Sequence, residues 1–471
     1  MSTAETTRDL PVGYQHRWFV MAVVMAADVM DLLDATVANL AGPSIRRSFG
    51  AGQTTLQWVL AGYTLAFAIG LITSARAGDL LGRRPMFIVG MAGFTLASLA
   101  CGLAPTAETL ILFRILQGLF GAVMLPHGFA MVRESFPEDE LQKAFIPFGP
   151  IMGLAAVVGP ILAGVLIDWN LWGSGWRLIF WINVPIGLVG AFIAWRHLPR
   201  IPKNPDARLD PLGSVLVMVA SAALIYPLVQ GRTLGWPAWT YAMIAGSLVL
   251  FLLFGISERR STHPVIEPSL FANRSFLGGL FFLGTFFVAM NGSNLIMNLF
   301  LQLGRGFTPI HAGLTMVPYA LGIAIGAAAS GAALGPRFGR HVLHAGLVVA
   351  AIGMAWFGLA VSAHAGTWTF TPALLVTGFG SGLIFAPLFD IILAGLQQNE
   401  VGTGSGLLNA VQQFCGALGV AVLGTVFFQW LPHHGWETST RWIAWVTVGC
   451  FAASFLVAFL LPLKARENEG H

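Results

Sequence analysis

The sequence predicts an all-α integral membrane protein: two six-helix bundles with two extra helices between them, fourteen transmembrane helices in all. Three observations lead there. Of 471 residues, 56% are hydrophobic and only 10% charged, with a mean hydropathy of +0.74, whereas soluble domains run at about 25% charged. The apolar runs are about 20 residues long, enough to cross a bilayer as helix and about twice the length of a barrel strand. A glycine–arginine loop recurs 257 residues along the chain. These features exclude an ordinary soluble enzyme, a disordered scaffold, a collagen-like fibre and a transmembrane β-barrel.

Apolar runs bounded by charges, proline or glycine place the spans near 18–40, 56–76, 85–104, 108–131, 144–168, 174–196, 212–230, 238–257, 276–302, 308–333, 341–362, 367–394, 403–430 and 439–462. The polar N-terminus, MSTAETTRDLPVGYQHR, has no small-residue cleavage site and does not read as a removable signal. The 56 glycines exceed the usual share of roughly 7%, and small residues let helices approach closely in lipid. Cys101, Cys415 and Cys450 are far apart, with no CxxC. No disulfide framework or metal site is implied.

With the N-terminus cytoplasmic, 18 of the 25 Lys and Arg fall in inner segments, 6 in outer ones, and Arg114 alone lies inside a span. That bias follows the positive-inside rule and places both termini in the cytoplasm of a multi-pass cell-membrane protein. It accounts for the pI near 9.2 without a nucleic-acid partner.

The loop after span two reads AGDLLGRRP (77–85) and the loop after span ten reads LGPRFGRHV (334–342). Gly78, Gly82 and Arg83 match Gly335, Gly339 and Arg340 at the constant offset of 257. Each loop sits between the second and third helices of a six-helix set. The chain therefore divides into an N-terminal bundle (1–197), a linker with two additional spans (198–270) and a C-terminal bundle (271–471). Parallel repeats of this kind place a substrate site at their interface, near mid-membrane.

Five motifs in order carry a resemblance. They are LDATVANLAGP (33–43), the loop from Gly78-Asp79 to Gly82-Arg83-Arg84, RILQGLFGA (114–122), GPILAG (159–164) with Gly149 and Gly153 before it, and WRLIFWINVPIG (176–187). Together they make the chain resemble a major facilitator superfamily transporter, and within it the fourteen-span drug:proton antiporters. Ala163 and Gly42 depart from the residues usual at those positions, Gly and Leu. In the second half the resemblance rests on the repeated loop and on GSGLLNAVQQFCGALGVAVLG (404–424). It implies a major facilitator fold, proton-coupled alternating access and no enzymatic activity or cofactor beyond the proton. It also implies a monomer in the bilayer with a small-molecule substrate.

Asp28, Asp31 and Asp34 stand three residues apart in span one, so they share one broad face. Carboxylates at membrane depth are rare and costly, hence functional candidates. Desolvation and mutual repulsion both penalise their charged forms, which suits a shared proton-coupling site. Arg114 lies in the outer third of span four, at a depth similar to Asp34. A guanidinium stays charged when buried, and the resemblance implies a proton-coupling arginine. The competing reading for these groups is a static ion pair.

Gly78, Asp79, Gly82, Arg83 and Arg340 are expected to form a cytoplasmic latch between the bundles, as the resemblance implies; the alternative is a solvated loop. Gly149, Gly153, Gly159, Pro160 and Gly164 make span five pliable and thin, with no ligand contact expected. Asp390, one turn after Pro387, stands alone as an acid in the apolar second-half spans. It is a candidate for substrate or proton binding, or faces the cytoplasmic vestibule. Asn291, Asn294 and Asn298 recur at i, i+3 and i+7 on one face of span nine, with Asn291 at the repeat position of Asp34. They read as a neutral cavity wall or as interhelical hydrogen-bonding groups. Gln117 and His127 in span four complete the tentative substrate set, with packing as the alternative for the histidine. His433 and His434 lack further ligand residues, so no metal site is proposed. No GxxxxGK[ST] loop is present. The sequence therefore points to a proton-driven exporter of small amphipathic compounds, a multidrug or antibiotic efflux protein. A dedicated metabolite exporter or a nutrient symporter is the alternative.

Overall fold

A computed structural model describes residues 14–137, 140, 148–199, 210–261, 268–362, 365–396 and 400–463. Those residues are helical throughout the hydrophobic runs, and no strand occurs among them. The main helices are α1 (Arg17–Phe49), α2 (Gln53–Leu81), α3 (Arg83–Leu103), α4 (Ala107–Ser135), α5 (Phe148–Trp169), α6 (Asn183–His197), α7 (Pro211–Gln230), α8 (Ala238–Arg260), α9 (Arg274–Leu299), α10 (Pro309–Ala329), α11 (Arg340–Ala360), α12 (Thr367–Leu393) and α13 (Val401–Val457). Short polar residues start several of them. Thr106 accepts from the Thr109 amide at 3.3 Å, Asp210 from Gly213 at 2.9 Å and Asn273 from Ser275 at 3.0 Å. Such caps satisfy amides that have no partner within the helix. Pro211 and Pro309 open α7 and α10, where a missing amide costs nothing.

Among the described residues, eleven segments are long and apolar enough to cross a membrane. The count falls short of the fourteen expected, and the difference lies at three places. The aspartate-bearing α1 is not among the eleven, and α5 contributes only the shorter apolar stretch Val158–Trp169. α13 counts once, although its backbone breaks at Gly435 (φ 71°, ψ 175°). Large apolar side chains such as Leu96, Phe192, Leu252, Ile352 and Leu359 point outward. In lipid that surface meets acyl chains rather than water.

Helices α1–α4 and α6 pack chiefly on one another, as do α9–α13, α5 packs on both α1 and α10, and α7 and α8 form a pair on the flank. The two bundles join at the end where α1 finishes, here the Phe49 end. There α5 lies against α10 with almost no gap. A Cβ added at Gly164 would collide with the Ile310 Cα, and one at Gly313 with the Pro160 carbonyl. The Asp168 carboxylate accepts from the Ile310 amide at 3.1 Å, Gln302 donates to the Leu40 carbonyl at 2.8 Å, and Gln57 donates to the Val420 carbonyl at 3.3 Å.

The repeated loops share a glycine with positive φ at the turn. Gly82 (φ 100°) and Gly339 (φ 53°) both turn the chain between consecutive helices with a positive φ that disfavours side chains.

Candidate buried charge site

Asp34 and Arg114, 80 residues apart in sequence, form an ion pair with each side chain only 1% exposed. The Asp34 carboxylate also accepts from Gln117 Nε2 at 2.8 Å and from Asn183 Nδ2 at 3.4 Å. Arg114 in turn donates to the Val59 carbonyl at 3.2 Å and to Gln117 Oε1 at 2.8 Å. Its guanidinium lies 4.2 Å from the Tyr63 ring centroid and 5.6 Å from that of Phe180. Ser98 Oγ closes the network, accepting from Gln117 and Asn183 and donating to the Phe180 carbonyl at 2.9 Å. Five helices, α1, α2, α3, α4 and α6, thus converge on one charge pair. Two buried charges are tolerable only when geometry and extra hydrogen bonds offset their desolvation, and here Val59, Gln117 and Asn183 supply those bonds while the Tyr63 and Phe180 rings face the guanidinium.

The neighbouring acids differ. Asp31 is half-buried and accepts a hydrogen bond from the Tyr63 hydroxyl. Asp28 is buried, and its Oδ2 has no hydrogen-bond partner among the described residues. Tyr63 therefore links Asp31 to the ion pair, its hydroxyl on Asp31 and its ring against Arg114. Sequence reading missed Tyr63, Asn183, Ser98 and the bundle-bridging Gln57 and Gln302. The one signal for them was polarity inside apolar runs such as QWVLAGY and WINVPIG.

His127 is buried in α4, 3.2 Å from Ser74 Oγ, and its ring fills the space beside Gly78. Arg83 pairs with Glu134 of its own bundle. Arg340 donates to the carbonyls of Phe459 at 2.9 Å and Leu461 at 2.7 Å. In this conformation those two contacts stay within single bundles. The side chain of Asp79 and the surroundings of Gly149 and Gly153 lie outside the described residues. Gly159 packs on Thr36 of α1, which brings α5 against the aspartate-bearing helix.

In the second half, Asn291 donates to the Phe287 carbonyl at 3.0 Å, and Asn298 to the Asn294 carbonyl at 3.1 Å. Both bonds stay within α9. Asp390 is exposed near the Leu393 end of α12, apart from the Asp34–Arg114 pair. No cluster of three or more His, Cys, Asp or Glu suited to a metal occurs among the described residues.

A two-bundle helical membrane protein with an ion pair in its interior is a transporter by architecture. The chain belongs to the Major Facilitator Superfamily, whose profile matches residues 24–420. Similar proteins include the "Probable actinorhodin transporter" of Streptomyces coelicolor, 44% identical over 89% of this chain and 74% of that protein. "Multidrug resistance protein Stp" of Mycobacterium tuberculosis is 34% identical over 85% and 74%. "Puromycin resistance protein pur8" of Streptomyces alboniger is 35% identical over 87% and 82%. Among solved structures, a bacterial homologue of the human lysosomal transporter Spinster, described as inward-facing and unoccupied, aligns with a TM-score of 0.69. It is 16% identical, over 95% of this chain and 98% of that one. A D-xylose–proton symporter aligns with a TM-score of 0.67, at 12% identity over 95% and 98%. At those identities the structures support the fold alone.

Proposed function

We propose that the protein is a proton-coupled antiporter that exports small amphipathic compounds, drugs or antibiotics, by alternating access. The observation that carries this reading is the buried Asp34–Arg114 pair with its hydrogen-bonded shell. The names of the relatives point to the substrate class. Fourteen spans, both termini in the cytoplasm of a cell membrane and a division at 1–197, 198–270 and 271–471 complete the reading. With that orientation the joined Phe49 end is extracellular and the conformation faces inward. The substrate then enters from the cytoplasm, between the bundles.

A proton arriving from outside neutralises Asp34 or its neighbour Asp31. Neutralisation weakens the hold on Arg114 and loosens α1 against α2 and α4. The seal between α5 and α10 opens, and substrate leaves as the proton moves inward. Gly78, Asp79, Gly82, Arg83 and Arg340 act as the latch of the opposite, outward-facing conformation. The polar wall offered to substrate comprises Asn291, Asn294, Asn298 and Asp390. Gln117 and His127 belong to the charged half; one holds Asp34 and the other packs on the latch loop.

A second reading, a dedicated exporter of one metabolite, draws support from the relative named for a single compound. Proteoliposomes with an imposed pH gradient separate export from import. A gradient acidic on the extracellular side is expected to drive ethidium outward. Uptake down the same gradient overturns the antiport reading. Transport of several unrelated amphipathic cations favours the broad reading, and transport of one alone favours the dedicated exporter.

A further inference from the structure

The two-helix insert has a site of its own. At the Phe49 end α7 is pinned to both bundles. The Thr425 hydroxyl of α13 donates to the Leu228 carbonyl at 2.6 Å, and Arg232 donates to Gln53 at the start of α2 at 3.3 Å. Ile225 and Val229 of α7 are buried in one cluster with Leu56 and Leu60 of α2 and with Val420 of α13.

Away from that pin, α2 and α13 diverge. A cavity of about 640 Å³ opens between them, and the insert forms its outer wall. Ile69 of α2, Val217 of α7, Phe251 of α8, Leu280 of α9 and Val411 and Phe414 of α13 face it. Leu252 and Ile256 of α8 line it and are also exposed on the flank of the molecule, where the surrounding phase is lipid. Ser221 of α7 is a polar residue of the wall, and the charged groups sit at one end, in the last turn of α8. Glu258 is buried there, and its carboxylate and that of Asp210 both lie against Gly213. Arg259, next to it, is exposed, lines the cavity and makes no ion pair among the described residues. Arg260 ends the same helix, and Arg274 begins α9.

An apolar slot at acyl-chain depth with an arginine at the helix end has the layout of a lipid: hydrocarbon inside, anion at the rim. The charge at the rim selects the headgroup, since a guanidinium binds a phosphate bidentately. We propose that this cavity is a binding site for an anionic phospholipid, its acyl chain between α2, α13 and the insert and its phosphate on Arg259. The two extra helices thereby complete a lipid site that neither six-helix bundle forms alone. The proposal does not depend on what the protein transports.

The test uses the full-length protein, stripped of lipid in detergent and offered equal amounts of phosphatidylglycerol and phosphatidylcholine. Native mass spectrometry counts the retained lipid. Wild type is expected to keep phosphatidylglycerol about fivefold over phosphatidylcholine, the preference that one basic residue supplies near an anionic headgroup. Arg259→Gln is expected to bring that ratio to about one, the value left when the basic residue is removed. Val411→Trp, which fills the slot from α13, is expected to lower retention of both lipids. Leu280→Trp fills it from α9 and serves the same end if the first variant does not elute as a single species. Three outcomes overturn the proposal: equal retention of both lipids by wild type, a phosphatidylglycerol preference that survives Arg259→Gln, or ethidium displacing bound lipid from the slot one for one.

Discussion

At position 34 the first half carries an aspartate; at the equivalent position of the repeat, 257 residues later, the second half carries Asn291. The surroundings diverge accordingly. Asp34 takes hydrogen bonds from Arg114 of α4, Gln117 of α4 and Asn183 of α6, so it ties helices together. The Asn291 amide donates to its own helix. One fold, used twice, therefore has a half that holds charge and a half that presents neutral polar groups. A buried charge commands several helices because each of its lone pairs needs a partner. The Asn291 and Asn298 amides are neutral and donate to carbonyls one turn back in their own helix. The difference is the ground for the proposal that proton chemistry belongs to the first half and ligand contact to the second.

Four substitutions break or sharpen this contrast. Arg114→Ala has the largest expected effect, because it strands Asp34 in the interior. Losing one partner of a buried pair costs about 3–5 kcal/mol, so the detergent-solubilised protein should melt about 3–5 °C below wild type and transport should vanish. A Tm within about one degree of wild type, a loss of about 1 kcal/mol or less at this chain length, sinks the structural part of the argument. Tyr63→Phe is next. It removes the hydroxyl from Asp31 and keeps the ring under Arg114. Stability should drop by about 1 kcal/mol, the value of one hydrogen bond, while the pH dependence of efflux shifts. An unchanged pH profile detaches Asp31 from coupling.

Asp390→Asn should impair cationic substrates and spare neutral ones, since the acid is exposed and tied to no interior network. Equal loss of both classes moves Asp390 into coupling or folding. Asn298→Ala is expected to change least. Its amide bonds stay within α9, so a melting shift of about one degree, about 1 kcal/mol at most, is expected. A collapse comparable to Arg114→Ala would erase the contrast between the halves.

Much of this was legible in the chain. Run lengths set the helices, and the Gly82/Gly339 repeat set the two-fold plan, because backbone turns of that kind need glycine. The Asp34–Arg114 pairing followed from two rare charges at similar depth. The shell around the pair was not legible. Ser98, Asn183 and Tyr63 are ordinary residues in apolar runs, and only the crossing of α2, α3 and α6 brings them to one point. The span count was blurred where chemistry interrupts hydropathy, at the aspartates of α1 and at the Gly435 break. The latch residues were grouped by motif, yet Arg83 and Arg340 take partners in their own bundles in this conformation.

Asp34→Asn tests the central claim most directly. The substitution keeps the shape and removes the charge that Arg114, Gln117 and Asn183 converge upon. Wild type and variant are reconstituted in parallel, and ethidium export is followed with and without an imposed pH gradient. The account predicts that the variant inserts and equilibrates ethidium down its own gradient but accumulates none against it when the pH gradient is applied. Gradient-driven export at the wild-type rate by Asp34→Asn would contradict it and remove the first-half charge site from the mechanism.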